Sequence, residues 1–249
     1  MRVCLLSDLH LDHHQDGGAS FLKDLIIPDC DLTVIAGDLS QANHWRWKQN
    51  VKEICDKSKQ VLYAMGNHEY YGASITETDC RAHNLPNEFK NLTVASRAKV
   101  LTQKDIPALG DLNLLVGTLW FQDACDQEHY KNLLNDFALI EDLEPEIYRR
   151  NDRFKCLLYG IKDEPCIVVS HHLPSYSCVN PRFAGSAINR FFVGGIDDKD
   201  IENSSISLWV CGHGHDALDF KIGKTRVISN PAGYLNEMPA YYEPKAIDI

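Results

Sequence analysis

Two histidines separated by one glycine follow an apolar run near the end of the chain. The run Leu208–Val210 continues into Cys211-Gly212-His213-Gly214-His215. An apolar, partly aromatic stretch of this length predicts a buried strand. Glycine permits backbone angles and close approaches that a residue with a Cβ resists, so Gly212 and Gly214 can turn the two imidazoles in different directions. The pattern is typical of a metal site at the C-terminal end of a strand, and it also fits a hairpin turn with two surface histidines.

Four other predicted strands end in the same kinds of side chain. They lead into Asp8-Leu9-His10, Gly37-Asp38, Gly66-Asn67-His68-Glu69 and Ser170-His171-His172. Each of these short motifs alone is typical of a turn. Their repetition at five strand ends favours a metal site at the C-terminal edge of a sheet, because such a site needs converging Asp, Asn and His ligands.

The first third of the chain alternates between strand and helix patterns. Strands are predicted at Arg2–Ser7, Asp31–Ala36 and Gln60–Ala64, and helices at Phe21–Ile27 and Asn43–Lys59. This alternation indicates βαβ units and a parallel sheet with helices on its faces.

The rest of the chain is less regular. Short apolar stretches at 92–101 and 112–119 predict strands of a second sheet, and 126–161 predicts a largely helical segment broken near Pro145. The segment 172–205 is rich in Pro, Ser, Asn and Gly and predicts a loop. Further strands are predicted at 166–170, 206–211, 218–222 and 225–229. Because neither repeats nor linkers are visible, we expect one domain over 1–249, with a loop-rich insertion at about 172–205 near the active site.

The composition is that of a globular protein with an acidic balance. The 249 residues are 44% hydrophobic and carry a net charge of −10, which argues against extended nucleic-acid binding. Nine cysteines form no Cys-x-x-Cys pair, and several lie in apolar runs, which favours a reducing cytosol. No segment is apolar for about 18 residues, so we expect no membrane span. The run Val3–Leu6 is too short for a signal peptide, and we expect a cytoplasmic protein.

Taken in order, the five strand-end motifs resemble those of the calcineurin-like metallophosphoesterase superfamily, in its bacterial or phage-type small phosphohydrolase branch. The resemblance covers nearly the whole chain. It implies an α/β fold, a four-layer α/β/β/α sandwich with two mixed sheets, and two divalent metals at the strand ends. One metal would be held by Asp8, His10, Asp38 and His215, and the other by Asp38, Asn67, His171 and His213, with Asp38 bridging.

The donor types support two metals independently of the resemblance. Carboxylate, amide and imidazole ligands suit Mn²⁺, Fe or Zn²⁺, and we expect Mn²⁺. A bridging carboxylate can hold two cations about 3.5–4 Å apart, which lowers the pKa of a bridging water and stabilises charge on the attacking and leaving oxygens. The expected reaction is in-line attack of a metal-bridging hydroxide on a small phosphomonoester or phosphodiester.

The resemblance makes His68 the catalytic histidine, near the leaving oxygen as a general acid or a positive charge. Its alternative role is to orient Asn67 without taking part in the reaction. Only one of two adjacent histidines can point into the site from an extended backbone, and we select His171. His172 either touches substrate or caps the loop.

Other polar residues near the motifs also have interpretations that need no role in catalysis. Glu69 is expected to be a hydrogen-bond partner in its turn. His13 and His14 are expected to be surface histidines of a polar loop, and Asn180 and Arg182 either reach a phosphate or are exposed to solvent. A core helix that starts near Trp45 and Trp47 explains these two residues better than a base-stacking platform does.

The chain departs from the Ser/Thr protein phosphatase branch at two places. It has Leu39–Asn43 where that branch carries an Asp-Arg-Gly motif, and Met65 where that branch carries an arginine. A small phosphorylated substrate is therefore expected, with a protein phosphatase or a nuclease of the same superfamily as alternatives. A non-catalytic scaffold of this fold should lack some of the family's metal-ligand residues, and this chain has all of them. A structural zinc site would favour cysteines at ligand-like spacing, which the chain lacks.

Overall fold

The computed structural model describes residues 1–123, 129–239 and 241–249. The helices within these ranges are α1 Ala19–Asp24, α2 Trp47–Asp56, α3 Ile75–Glu88, α4 Asn135–Leu139, α5 Glu146–Ile161 and α6 Asp198–Glu202. The strands are β1 Arg2–Leu6, β2 Leu32–Ala36, β3 Val61–Ala64, β4 Ala73–Ser74, β5 Leu92–Ala95, β6 Lys99–Leu101, β7 Asn113–Val116, β8 Ile140–Glu141, β9 Cys166–Val169, β10 Ile206–Cys211, β11 Leu218–Ile222, β12 Thr225–Ser229 and β13 Lys245–Asp248.

Most strands form two mixed sheets. The first has the order β13-β1-β2-β3-β5, in which only β13 is antiparallel to its neighbour. The second has the order β11-β12-β10-β9-β7-β6, in which the two edge strands are antiparallel and the inner four are parallel. The short strands β4 and β8 pair with each other.

Alternation along the strands divides the apolar side chains among three cores, because successive side chains of a strand point to opposite faces. Leu62 of the first sheet and Val169 and Val210 of the second belong to the core between the sheets. The opposite face of the first sheet packs against α1, α2 and α3. The opposite face of the second sheet packs against α5 and α6. These layers confirm the predicted α/β/β/α sandwich with two mixed sheets.

The predicted strands and helices of the first third are present within a few residues of their expected bounds. The strands predicted at 166–170, 206–211, 218–222 and 225–229 are also present. None of the helices in the described ranges combines the length and the apolar character needed to cross a bilayer.

Three sequence predictions in the middle of the chain need correction. The stretch 92–101 forms two strands that part at 96–98, and the first of them, β5, joins the first sheet. The segment 126–161 contains the short helix α4 and the strand β8 before α5 begins after Pro145, and residues 126–128 lie outside the described ranges. The segment 172–205 contains α6 and several short 3-10 turns.

Helix α3 and strand β13 were also not predicted. Helix α3 is capped by Ser74, whose hydroxyl accepts a hydrogen bond from the Glu77 N–H at 3.1 Å. Its interior contains Pro86, and polar residues interrupt its apolar pattern, so the helical signal is weak. Strand β13 is four residues long and owes its position to pairing with β1.

Candidate metal centre

The strand-end motifs of both sheets meet at one place. The parallel strands β1, β2 and β3 of the first sheet, and β9 and β10 of the second, each lead into one of them. Contacts between the sheets join these ends: the His171 Nδ1 lies 2.8 Å from the Ala36 carbonyl oxygen, and the His213 N–H donates to Asp8 Oδ1 at 2.8 Å. All seven predicted metal ligands are thereby brought together, as are His68 and Glu69.

The backbone around these residues is strained. Seven non-glycine residues of the described chain have positive φ, and five of them are predicted ligands. L-residues avoid this left-handed region, and such strain collects at functional sites where the surrounding structure holds it. The five ligands are Asp8 (φ 53°), His10 (43°), Asp38 (54°), His213 (64°) and His215 (51°).

The two glycines beside His213 and His215 were expected to make the turns, but they do not. Neither Gly212 nor Gly214 has a positive φ, because His213 and His215 themselves take the left-handed backbone. Gly212 is needed for close approach, since a Cβ there would lie 2.6 Å from Asp8 Oδ2. Gly214 has room for a side chain, with Leu173 Cδ1 3.4 Å from an added Cβ.

A first group of ligand atoms consists of Asp8, His10, Asp38 and His215. One atom from each lies within 4.8 Å of the others. The His10 and His215 Nε2 atoms are 3.0 Å apart, and the His215 Nε2 is 3.6 Å from Asp8 Oδ1. The His10 Nε2 is 3.8 Å from Asp38 Oδ2. This is the set that the resemblance assigns to one metal.

A second group contains Asp38, His171 and His213, again with ligand atoms within 4.8 Å of one another. The His171 Nε2 lies 3.2 Å from Asp38 Oδ2 and 3.0 Å from Asn67 Oδ1. Asp38 therefore belongs to both groups, which is the position that a bridging carboxylate needs.

Burial sets the protonation of these side chains. It lowers the pKa of His10 and of His213 well below the usual value, so both imidazoles are neutral and have a lone pair to donate. Burial alone would also lower the pKa of His171, but the charge and hydrogen bond of Asp38 raise it to about 10. A cation that binds between His171 and Asp38 would take the place of this proton, because metal ligands must be deprotonated.

The residues fit divalent metals. Asp8 is fully buried, and its Oδ2 atom has no hydrogen-bond partner within the described chain. The facing Nε2 atoms of His10 and His215 leave two imidazole nitrogens converging on one point. A buried carboxylate oxygen without a partner is costly, and a cation among Asp, Asn and His donors removes that cost.

Glu69 holds two of the motifs together, in the structural role expected for it. The buried carboxylate accepts hydrogen bonds from the backbone N–H groups of Asp38, Leu39 and Gly66 at 3.2, 2.7 and 2.7 Å. It also accepts one from the Tyr63 hydroxyl at 2.5 Å. These bonds fix the loop after β2 relative to the loop after β3.

Asp136 orients Asn67, and sequence reasoning missed it. Its Oδ1 accepts hydrogen bonds from Asn67 Nδ2 and from the Tyr71 hydroxyl, both at 2.7 Å. The amide nitrogen of Asn67 is thereby engaged, and its oxygen is left facing His171. Asp136 lies in α4, in the least regular part of the chain, where no motif marks it.

Tyr234 and Glu237 pack against two of the predicted ligands, and neither residue was predicted as part of the site. The Tyr234 ring stacks on His10 with centroids 4.4 Å apart, and Glu237 Oε2 lies 2.7 Å from His215 Nδ1. A carboxylate on the second ring nitrogen fixes the orientation of a metal-ligating histidine. Tyr234 and Glu237 lie five and eight residues beyond the end of β12, so the rule that an Asp, Asn or His directly follows a strand does not find them.

His68 lies beside the two ligand groups. It is 6% exposed, its backbone N–H donates to Asp38 Oδ1 at 3.0 Å, and its Nε2 is 4.0 Å from Asp38 Oδ2. Its ring packs on Tyr71, and its Nε2 is 3.1 Å from the Tyr234 hydroxyl. Within the described ranges its Nδ1 has no hydrogen-bond partner. Tyr234 and Tyr71 therefore position the His68 imidazole.

The other residues considered in the sequence differ in burial and in their distance from the site. His172 is fully buried, and its ring packs 4.1 Å from that of His213, so it neither reaches a substrate nor caps the loop. His13 is exposed as expected, but its ring lies 5.8 Å from that of His10 at the edge of the site. Arg182 is exposed and paired with Asp216 at 3.0 Å. Trp47 is buried at the start of α2, whereas Trp45 is 75% exposed and outside the core.

A cavity of about 370 Å³ opens beside both ligand groups. Asp38, Asn67, His68, His213 and His215 contribute to its lining. Most of the remaining wall comes from 133–136 and from 173–192, which covers part of the segment that was predicted to be a loop. A volume of this size is within the range of about 300–1,000 Å³ for small-molecule sites.

The two packed sheets bring Asp and His side chains together in clusters that could hold a metal ion. The family model described as calcineurin-like phosphoesterase matches residues 1–217. The chain belongs to the calcineurin-like phosphoesterase family. This membership agrees with the predicted enzyme class, a metal-dependent hydrolase of phosphoric esters.

Individual known proteins are similar to this chain. An uncharacterized metallophosphoesterase of Campylobacter jejuni is 26% identical over 123 residues, which is 45% of this chain and only 30% of that protein. The phosphopantetheinyl hydrolase of Mycobacterium tuberculosis has a TM-score of 0.71 at 15% identity, covering 98% of this chain and 95% of that one. The Thermus thermophilus protein TT1561 has a TM-score of 0.55 at 15% identity, covering 92% and 88%. At these identities the two structures show a shared fold.

Proposed function

We propose that this protein is a binuclear, Mn²⁺-dependent phosphoesterase that hydrolyses a small phosphorylated molecule. The observation that carries the proposal is that Asp38 belongs to two separate groups of ligand atoms. Asp8, His10 and His215 would complete one metal site with Asp38. Asn67, His171 and His213 would complete the other.

The side chains have distinct tasks in this proposal. Two divalent cations bound there would lower the pKa of a water and neutralise phosphate oxygens. Water adds to phosphorus, the ester P–O bond breaks, and the leaving oxygen takes up a proton. His68 supplies that proton or a positive charge, because its buried ring lies beside Asp38 and lines the cavity. Asp136 and Glu237 act as positioning residues through Asn67 and His215.

The size and charge of the site support a small substrate. Among the described residues that line the cavity, Arg182 is the one lysine or arginine, and it is paired with Asp216. Met65 is fully buried and contributes no charge. A phosphoprotein phosphatase would grip its substrate with the bidentate fork of arginine. The site offers instead a cavity of limited volume that is covered in part by 173–192.

Chelation tests the metal requirement. Purified protein with Mn²⁺ should hydrolyse 4-nitrophenyl phosphate or bis(4-nitrophenyl) phosphate, because both have good leaving groups. A chelator should remove the activity, and added Mn²⁺ should restore it, as followed by 4-nitrophenol release. Activity that is indifferent to the chelator would contradict the proposal.

We also propose a single-domain, cytoplasmic enzyme. The core between the two sheets includes apolar residues of both, which supports one folding unit. Eight cysteines of the described ranges are free, and six of them are buried. Free cysteines in the core support a reducing compartment.

A further inference from the structure

We propose that the alcohol portion of the substrate is an apolar, uncharged group that binds against one wall of the cavity. This inference rests on the proposed phosphoesterase function and narrows its substrate class. It is carried by the side chains beside the ligand groups, the exposure of two of them, and the charges around the cavity.

The wall next to the metal ligands is apolar. Leu134, Leu173, Val179, Ile188 and Phe192 contribute to it, although they come from two separate parts of the chain. Sites that bind small molecules are lined mainly by such side chains, with a few polar groups that fix the orientation. Asp38, Asn67, His213 and His215 line the same cavity and would hold the phosphate.

Phe192 connects this wall with the metal ligands. Its ring packs on that of His213 with centroids 4.7 Å apart and an interplanar angle of 35°. Both rings line the same cavity. A phosphate held near His213 would therefore place the first carbons of its ester group against Phe192.

Two other residues of the wall are unusually exposed. Leu133 is 68% exposed and Phe183 is 46% exposed, and both line the cavity despite lying 50 residues apart. Single exposed apolar residues are common, but two that line the same cavity indicate a binding surface. An apolar ester group would cover them and remove their surface from water.

The charges around the cavity disfavour binding of an ester group that carries an anionic group of its own. Asp136, Asp216 and Glu237 contribute carboxyl groups to the lining. Arg182 is the one cationic lysine or arginine among the described lining residues, and Asp216 already pairs with it. A carboxylate or second phosphate on the ester group would find no free positive charge and would face these acids. The ester group is therefore uncharged as well as apolar.

A series of n-alkyl esters tests this inference, because ethanol and hexanol are nearly equal as leaving groups. The esters are made as phosphomonoesters, or as 4-nitrophenyl phosphodiesters if the Mn²⁺-loaded protein hydrolyses only the diester reference compound. We expect kcat/KM to be at least about tenfold higher for hexyl than for ethyl, since added methylenes are buried against the wall. A terminal carboxylate on the hexyl chain should remove this advantage.

Substitutions of the exposed apolar residues test whether the alkyl chain binds against them. Leu133→Ala and Phe183→Ala should each lower the ratio of hexyl to ethyl kcat/KM by at least about threefold, since each removes apolar contact area. Ile26→Ala, at an apolar residue that is 70% exposed and does not line the cavity, should leave the ratio unchanged.

Equal kcat/KM for ethyl and hexyl esters, or undiminished turnover of the carboxylate analogue, would overturn the inference while leaving the phosphoesterase intact. If neither reference ester is hydrolysed with Mn²⁺, the proposed function itself fails.

Discussion

Asp38→Ala should lose bound metal and activity together. Asp38 is the carboxylate that the two groups of ligand atoms share, so its removal weakens both sites at once. Loss of an outer hydrogen-bond partner of a metal ligand typically costs about 10–100-fold in metal affinity or activity, and loss of a shared ligand should cost more. The measurement is metal content after gel filtration, together with the rate of 4-nitrophenyl ester hydrolysis.

The matched control is Asp29→Ala, which removes a carboxylate that is 81% exposed and paired with Lys59. This variant should keep wild-type metal content and rate. Circular dichroism should show that Asp38→Ala remains folded, because Glu69 still ties the loops after β2 and β3 together. A folded Asp38→Ala protein with full metal content and activity would contradict the bridging role.

His68→Ala should keep its metals and lose rate. The ring lies beside the ligand groups without belonging to the set proposed to hold the metals, and it lines the cavity. Removal of a general acid costs about 10²–10⁴-fold in rate. The loss should be smaller for 4-nitrophenyl esters than for alkyl esters, because 4-nitrophenolate leaves without taking up a proton.

This dependence on the leaving group separates catalysis from positioning. If His68 only oriented Asn67, its removal would slow both kinds of ester equally and would also reduce metal content. His83→Ala, which removes an exposed histidine on α3, is the matched control and should change neither quantity. A His68→Ala protein without metal would show that the histidine belongs to the metal site.

The residues at the strand ends could be predicted from the sequence because two independent patterns coincide there. An apolar run marks each strand, and an Asp, Asn or His follows it directly. Parallel strands then bring their C-terminal ends to one edge of a sheet, so a one-dimensional pattern fixes a three-dimensional cluster. The same pattern does not find Tyr234 and Glu237, because they lie five and eight residues beyond β12 and are not Asp, Asn or His.

Other parts depend on tertiary contacts that leave little local trace. Asp136 is a buried acid in a five-residue helix, and its function comes from its bonds to Asn67 and Tyr71. Strand β13 is defined by pairing with β1 across nearly the whole chain. The helix α3 was missed because its apolar positions are sparse and Pro86 interrupts its pattern.

The strained backbone was also beyond the sequence pattern. Glycine is the residue that usually takes a positive φ, so Gly212 and Gly214 were expected to make the turns. The structure places the positive φ on His213 and His215 instead. Only the surrounding contacts, such as the bond from the His213 N–H to Asp8, hold such angles in residues with a Cβ.

We propose that two divalent cations bind at these side chains and share Asp38. Anomalous diffraction from crystals of the Mn²⁺-loaded protein tests it most directly. We expect two peaks about 3.5–4 Å apart on either side of the Asp38 carboxylate, one near His10 and His215 and the other near His171 and His213. A single peak, or Mn²⁺ bound away from Asp38, would contradict it.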